Sequence, residues 1–228
     1  LLRMRRLIAS ACAHARRAQI YEGVQALTAH GEALIVGAST QAATDALREG
    51  TLSHEATFGR TAISFRALAG ALAASSLAER GIVVAPTISL DAVATRVCHT
   101  KKIALGRFEG IARLPGFPRA LADTCTDLRL ARVSPKSLKK VDADLAVLFD
   151  AYTRELAELN IADAHDVFDA ATQALIKKSA PIAVDIPIFL LDVALRSVSE
   201  TSFVAALAKA SPNVLATTPI GDVQSLAN

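Results

Sequence analysis

Residues Leu34–Leu47, LIVGASTQAATDAL, run from apolar residues into a glycine, then a short polar turn, then an alanine-rich stretch with helical spacing. That order reads as strand, turn and helix. Laid over the phosphate-binding pattern G-x-x-x-x-G-K-[ST], Gly37 and Thr44 coincide with the first Gly and the final hydroxyl residue. Ala42 stands where the second Gly belongs and Ala43 where the Lys belongs. The lysine ammonium reaches the β- and γ-phosphates, and the second glycine lets backbone amides close around them. A loop without either cannot grip a triphosphate. Two readings stay open: an inactivated P-loop, with Gly37, Ser39, Thr40 and Thr44 as a vestigial nucleotide site, or an ordinary turn between strand and helix.

Working outward, four short apolar or β-branched stretches read as buried parallel strands: Ala33–Gly37, Thr61–Phe65, Ile188–Val193 and Val214–Thr218. Each precedes a helical pattern, which predicts β-α units and a parallel sheet rather than hairpins. Ile82–Ala85 ends at Pro86 and is either a strand or an extended connector. About 120 residues separate the second and third strands. Their apolar residues recur at helical spacing in Leu90–Cys98, Ala120–Leu130, Leu145–Leu159 and Ala164–Ile176. Ser134-Pro135, Asp163 with Asp166, and the capping box Ser197-Val198-Ser199-Glu200 mark helix starts. The expected organisation is an N-terminal helix over 1–30, an α/β core from 31–85 and 182–228, and an all-helical subdomain inserted over 86–181.

The first twenty residues hold five arginines and no acid. They resemble a transit peptide in composition, but an amphipathic helix with Leu2, Leu7 and Ala11 inward and the arginines in water is the preferred reading. The chain does not begin with Met and reads as a fragment. Its 25 basic and 22 acidic residues leave a net charge of only +3, so any nucleic-acid contact must come from local patches. No apolar run is long enough to span a bilayer, and no membrane contact is expected. Cys12, Cys98 and Cys125 are odd in number and widely spaced, which fits a reducing, cytoplasmic setting.

Asp192 ends an apolar strand, the position of the acid that holds magnesium in P-loop ATPases, although Val193 replaces the glutamate that would activate water. An aspartate there also serves as a turn or capping residue. Ser64-Phe65-Arg66 follows the second strand; the residues are candidates for DNA contact, or equally a core aromatic beside a solvated arginine. The five histidines have no zinc-binding spacing, and His165 reads as a surface or capping residue. There is no G-x-S-x-G, so neither a catalytic residue nor a metal ligand is assigned.

The order of these features resembles the N-terminal helicase-like region of the AddB-like family of ATP-dependent helicase/nuclease proteins. The segments that carry it are LIVGASTQAATDAL, TAISFRALAGAL, LPGFPRALADTCTDLRLARVSP, DLAVLFDAYTRELAELNIAD, FLLDV and NVLATTP, spanning about residues 31–219. The resemblance implies a RecA-like, superfamily 1 helicase-like first domain carrying a helical insertion. It implies double-strand-break repair, with DNA (single-stranded or a duplex end) and a helicase motor subunit as partners. Gly37 and Thr44 match the family's Walker A outline, Asp192 the Walker B acid, and Ser64-Phe65 the DNA-contacting motif. Ala42, Ala43 and Val193 depart from an active ATPase, so loss of ATP and magnesium binding is expected and no cofactor is assigned. The family's PD-(D/E)XK nuclease motif and iron-sulfur cysteines are not found between residues 1 and 228. A pure interaction scaffold without DNA contact and an unrelated small-molecule α/β enzyme are the alternatives.

Overall fold

The structure is a computed structural model that describes residues 4–27, 31–51, 58–100 and 103–227. In chain order the elements begin with β1 (Met4–Ala9), α1 (Ala13–Leu27), β2 (Ala33–Gly37), α2 (Thr40–Thr51), β3 (Arg60–Ser64) and α3 (Phe65–Glu79). Next come β4 (Val83–Val84), α4 (Thr87–His99), α5 (Phe117–Leu130), α6 (Pro135–Leu138), α7 (Ala143–Glu158), β5 (Ile161–Ala162) and α8 (Ala164–Ile176). The chain then adds β6 (Ile188–Leu191), α9 (Val198–Ala210), β7 (Asn213–Thr218) and α10 (Val223–Ala227). Two compact units emerge: Leu1–Ala74, Ala171–Arg196 and Glu200–Asn228 form one, and Ser75–Ala170 with Ser197–Ser199 the other. The chain crosses between them inside α3 and α8, not at the connecting segments near 86 and 181.

The first unit is an α/β layer structure on a five-stranded sheet of order β1-β7-β6-β2-β3, with every neighbouring pair parallel. A parallel sheet needs crossover helices and buries its central strands on both faces. That is why β2 and β6 are apolar without alternation, and all their residues are buried. On one face, Ile35, Phe189 and Leu215 pack against Ile20 and Val24 of α1 and Ala43 and Ala46 of α2. Gly23 allows α1 to sit close to the sheet, since a Cβ there would stand 2.7 Å from Leu215 Cδ2 and 2.9 Å from Phe189 Cε1. On the opposite face, Leu190, Val214 and Ala216 look toward Val204 and Ala208 of α9. Phe65 of α3 and Phe203 of α9 meet there with ring centroids 5.5 Å apart.

The N-terminal segment corrects the expectation of one helix over 1–30. Residues 4–9 are a strand, paired in parallel with β7 from Met4↔Asn213 to Ala9↔Thr218, and the helix starts only at Ala13. Leu7, expected inward, is 53% exposed, while Arg16, expected in water, is 6% exposed. Leu2 lies outside the described residues. β1 is an edge strand, so water tolerates Arg5 and Arg6 on it and the period-2 signal of a half-buried strand is lost.

The second unit packs Val93 and Val97 of α4, Leu121 and Cys125 of α5, and Leu148, Phe149 and Tyr152 of α7 into one core. Ser134 and Ser137 form a reciprocal capping box over Pro135 at the start of α6. The unit is not all helical, because Val83 pairs with Ile161 and Val84 with Ala162 in a small parallel sheet. Two-residue strands give almost no periodic signal, so Ile161–Ala162 does not stand out between the helical stretches Leu145–Leu159 and Ala164–Ile176.

Candidate functional site

The register brings three sequence-predicted segments to one edge of the main sheet. Gly37 lies opposite Ser64 on β3 and opposite Leu191 on β6, so Gly37, Ser64 and Asp192 leave adjacent strands at their carboxyl ends. The chain runs outward from β2 to β3 and returns to β6 on the other side of β2. In open α/β sheets such a reversal opens the crevice in which ligands bind.

The turn after β2 contains only Ala38 and Ser39 before α2 begins at Thr40. Ser39 caps the helix: its Oγ accepts the Ala42 N–H at 3.1 Å and its carbonyl accepts the Ala43 N–H at 3.1 Å. Ala43, at the lysine position of the phosphate-binding pattern, is fully buried in the first turn of α2. A Cβ on Gly37 would stand 2.8 Å from the Ala43 nitrogen, so the glycine is required for close approach. Thr44 Oγ1 donates to the Thr40 carbonyl at 2.8 Å. Residues 39–43 are thus committed to a cap and a helix instead of an open amide loop. Of the two readings, this geometry favours the ordinary strand-to-helix turn.

Asp192 stops β6 with φ of +50°, a left-handed conformation that Asp tolerates better than most residues. Its backbone N–H donates to the Thr217 carbonyl at 3.1 Å. Its two carboxylate oxygens take Arg16 Nε at 2.7 Å and Nη2 at 2.9 Å, and Thr217 Oγ1 donates to Oδ1 at 3.0 Å. Arg16 Nη1 donates to the Ser10 carbonyl. The hydrogen bond to Asp192 holds the guanidinium pKa above its usual value, against a smaller effect of burial. Asp192 is therefore neither a helix cap nor an open metal ligand: a fixed internal cation engages both its oxygens. Taken together, a buried Ala43 and a guanidinium-bound Asp192 do not fit magnesium-ATP.

Of the proposed DNA-contacting residues, Ser64 Oγ accepts the Ala67 N–H at 3.3 Å and so caps α3. Phe65 is 5% exposed and belongs to the core. Arg66 alone offers its side chain to solvent.

The second unit holds a polar cluster of its own. Arg129 Nε reaches Asp163 at 2.7 Å and Nη2 reaches Asp166 at 2.7 Å. Asp163 and Asp166 also cap α8 reciprocally, through Asp166 N–H to Asp163 at 3.1 Å and Asp163 N–H to Asp166 at 3.3 Å. Burial raises the Asp166 pKa, opposed by Arg129. His165 is half-buried: its Nδ1 lies 3.0 Å from Ser199 Oγ, and burial, aided by Arg129, pulls its pKa down. Ser199 is fully buried, so this Ser-His contact gives no accessible nucleophile. Cys98 and Cys125 are buried thiols with raised pKa values, Cys125 pushed up to about 12. Among the described residues no three His, Cys, Asp or Glu side chains gather as a metal site. Nor is any described helix long and apolar enough to cross a membrane.

Arg16 is the residue that sequence reasoning missed. Nothing in its spacing separates it from Arg17, which makes a half-exposed 3.4 Å contact with Glu49. Compared with known protein families and with curated protein sequences, the chain matches none.

Proposed function

We propose that the chain is a nucleotide-inactive, helicase-like α/β domain of a DNA double-strand-break repair helicase/nuclease, which guides DNA and docks a motor subunit while catalysis resides elsewhere in the parent protein. The family resemblance supplies the DNA-repair setting, and the parallel five-stranded sheet is compatible with the RecA-like fold it implies. The observation that carries the inactive half of this reading is the bidentate Arg16–Asp192 pair at the edge where a Walker B acid would hold magnesium. Isothermal titration with magnesium-ATP tests it: no binding is expected at millimolar nucleotide, and micromolar affinity or measurable hydrolysis would overturn it. Fluorescence anisotropy with labelled single-stranded DNA tests the other half. Binding that weakens steeply with salt supports a DNA guide.

A second reading has its own support. Within the sheet, β3-β2-β6-β7 follows the strand order of flavodoxin-like doubly wound folds, in which the first strand lies directly beside the second. An interaction scaffold on such a fold predicts no DNA binding at any salt concentration.

A further inference from the structure

The face of the main sheet that carries α9 holds a slot of about 330 Å³, remote in its chemistry from Asp192, whose carboxylate is turned to Arg16 of α1. Its walls are apolar: Leu7 of β1, Leu190 of β6, Val214 and Ala216 of β7, Val204 and Ala208 of α9. Arg5, Arg6, Thr217, Thr218 and Ser225 are the polar residues on the lining, and the register explains how Arg5 and Thr218 come to share one face. Arg5 lies opposite Val214, and Thr218 ends β7 on the same face, because residues two apart on a strand share a face. Arg5 and Thr218 both line the slot, four positions apart along the pair, which is about 13 Å at about 3.3 Å per residue.

Thr218 gives the slot a specific demand. The residue is 2% exposed and its Oγ1 has no hydrogen-bond partner among the described residues. A buried hydroxyl left unpaired is unfavourable, so a ligand atom that accepts its proton gains what the protein alone forgoes. Ser225, also on the wall, is already satisfied: its Oγ donates to Asp222 at 2.7 Å and accepts the Leu195 N–H at 2.8 Å. Arg5 is exposed on the edge strand and supplies a cation at the mouth.

We infer that this slot binds a small amphipathic anion: a carboxylate at Arg5, an unbranched apolar body across Leu7, Val214 and Ala216, and an oxygen at the far end for Thr218. At about 30 Å³ per small group, the volume takes about ten non-hydrogen atoms, the size of a medium-chain acid. Apolar walls supply affinity and two placed polar groups supply orientation, the usual division in small-molecule sites.

The test is titration calorimetry of the whole chain with ω-hydroxyoctanoate, octanoate and octanol. The hydroxy acid is expected to bind saturably at sub-millimolar concentration, octanoate several-fold weaker, and octanol weaker still. Arg5→Gln lowers affinity for both acids about tenfold and leaves octanol unchanged. Thr218→Val removes the preference for the hydroxy acid over octanoate. Ala208→Leu, a helix-compatible change that fills the slot, abolishes binding of all three while thermal unfolding shows the fold retained. If Thr218→Val does not fold, the Arg5→Gln and Ala208→Leu results decide alone. Equal binding of octanol and octanoate, indifference to Arg5→Gln, or no saturable binding up to several millimolar would each overturn the assignment.

Discussion

Arg16 and Asp192 show how much one pair can commit. Arg16 is nearly buried, with its side chain 7% exposed, and Asp192 keeps 27%, so the pair lies between a surface contact and a fully desolvated one. Removing the acid leaves the guanidinium, among the described residues, with only the Ser10 carbonyl as a hydrogen-bond acceptor. Asp192→Ala is expected to cost about 2–3 kcal/mol by urea denaturation, discounted from the fully buried range because water still reaches the carboxylate. Replacing both, as Arg16→Met with Asp192→Leu, should cost less than the sum of the single changes, with a coupling above about 1 kcal/mol in the double-mutant cycle. Additive effects would show that the pair is incidental to the fold. Neither single variant is expected to gain magnesium affinity, since Ala43 still closes the neighbouring turn.

At the level of elements, the β2–α2 turn yields a sharp expectation. If the segment were a P-loop lacking two residues, Ala42→Gly with Ala43→Lys would restore nucleotide binding. Because Ala43 is fully buried against Gly37, the lysine has no room and its charge no partner; the double variant should lose about 3 kcal/mol or more of stability and bind no magnesium-ATP. The turn also shows what can be read in advance. β2 and β6 are legible because a buried parallel strand is a continuous apolar run, and α9 because Ser197 to Glu200 has the sequence pattern of a local cap. β1 is not, since an edge strand carrying Arg5 and Arg6 looks like a basic helix, and β5 is too short to show a period. Asp192 stands out at its strand end, but its partner lies 176 residues away, a contact no local pattern encodes. In α8, His165 makes a pH prediction. Its folded pKa lies below the ordinary value of 6.5, so the unfolded chain takes up a proton that the folded chain refuses. Stability should be full above about pH 7, fall as the pH drops through 6.5, and level off below the folded value, with a slope no steeper than about 1.4 kcal/mol per pH unit. Asp166, whose pKa is raised, acts with the opposite sign, gaining stability as the pH falls through its own folded value. Urea midpoints between about pH 5 and 8 should show the His165 loss, and His165→Gln should flatten it.

For the whole molecule, charge sets the limits on the proposed DNA guidance. A net +3 from 25 basic and 22 acidic residues leaves little excess positive charge, and among the described residues Arg16, Arg96 and Arg129 are paired in place with Asp192, Glu155, and Asp163 and Asp166. Affinity for single-stranded DNA falls with salt in proportion to the phosphates engaged, with a slope of about −0.7 per contact. If about two to four free cations take part, the plot of log affinity against log salt should have a slope of about −1.5 to −3. Arg66 is exposed in the first turn of α3, two residues after Ser64, so Arg66→Ala should make that slope shallower by about 0.7. Phe65→Leu, by contrast, should leave the slope unchanged and lower stability by about 1 kcal/mol, because the ring packs on Phe203. A slope that ignores Arg66, or a Phe65→Leu variant that loses DNA affinity at full stability, would mean that DNA meets the chain somewhere other than the carboxyl edge of β3.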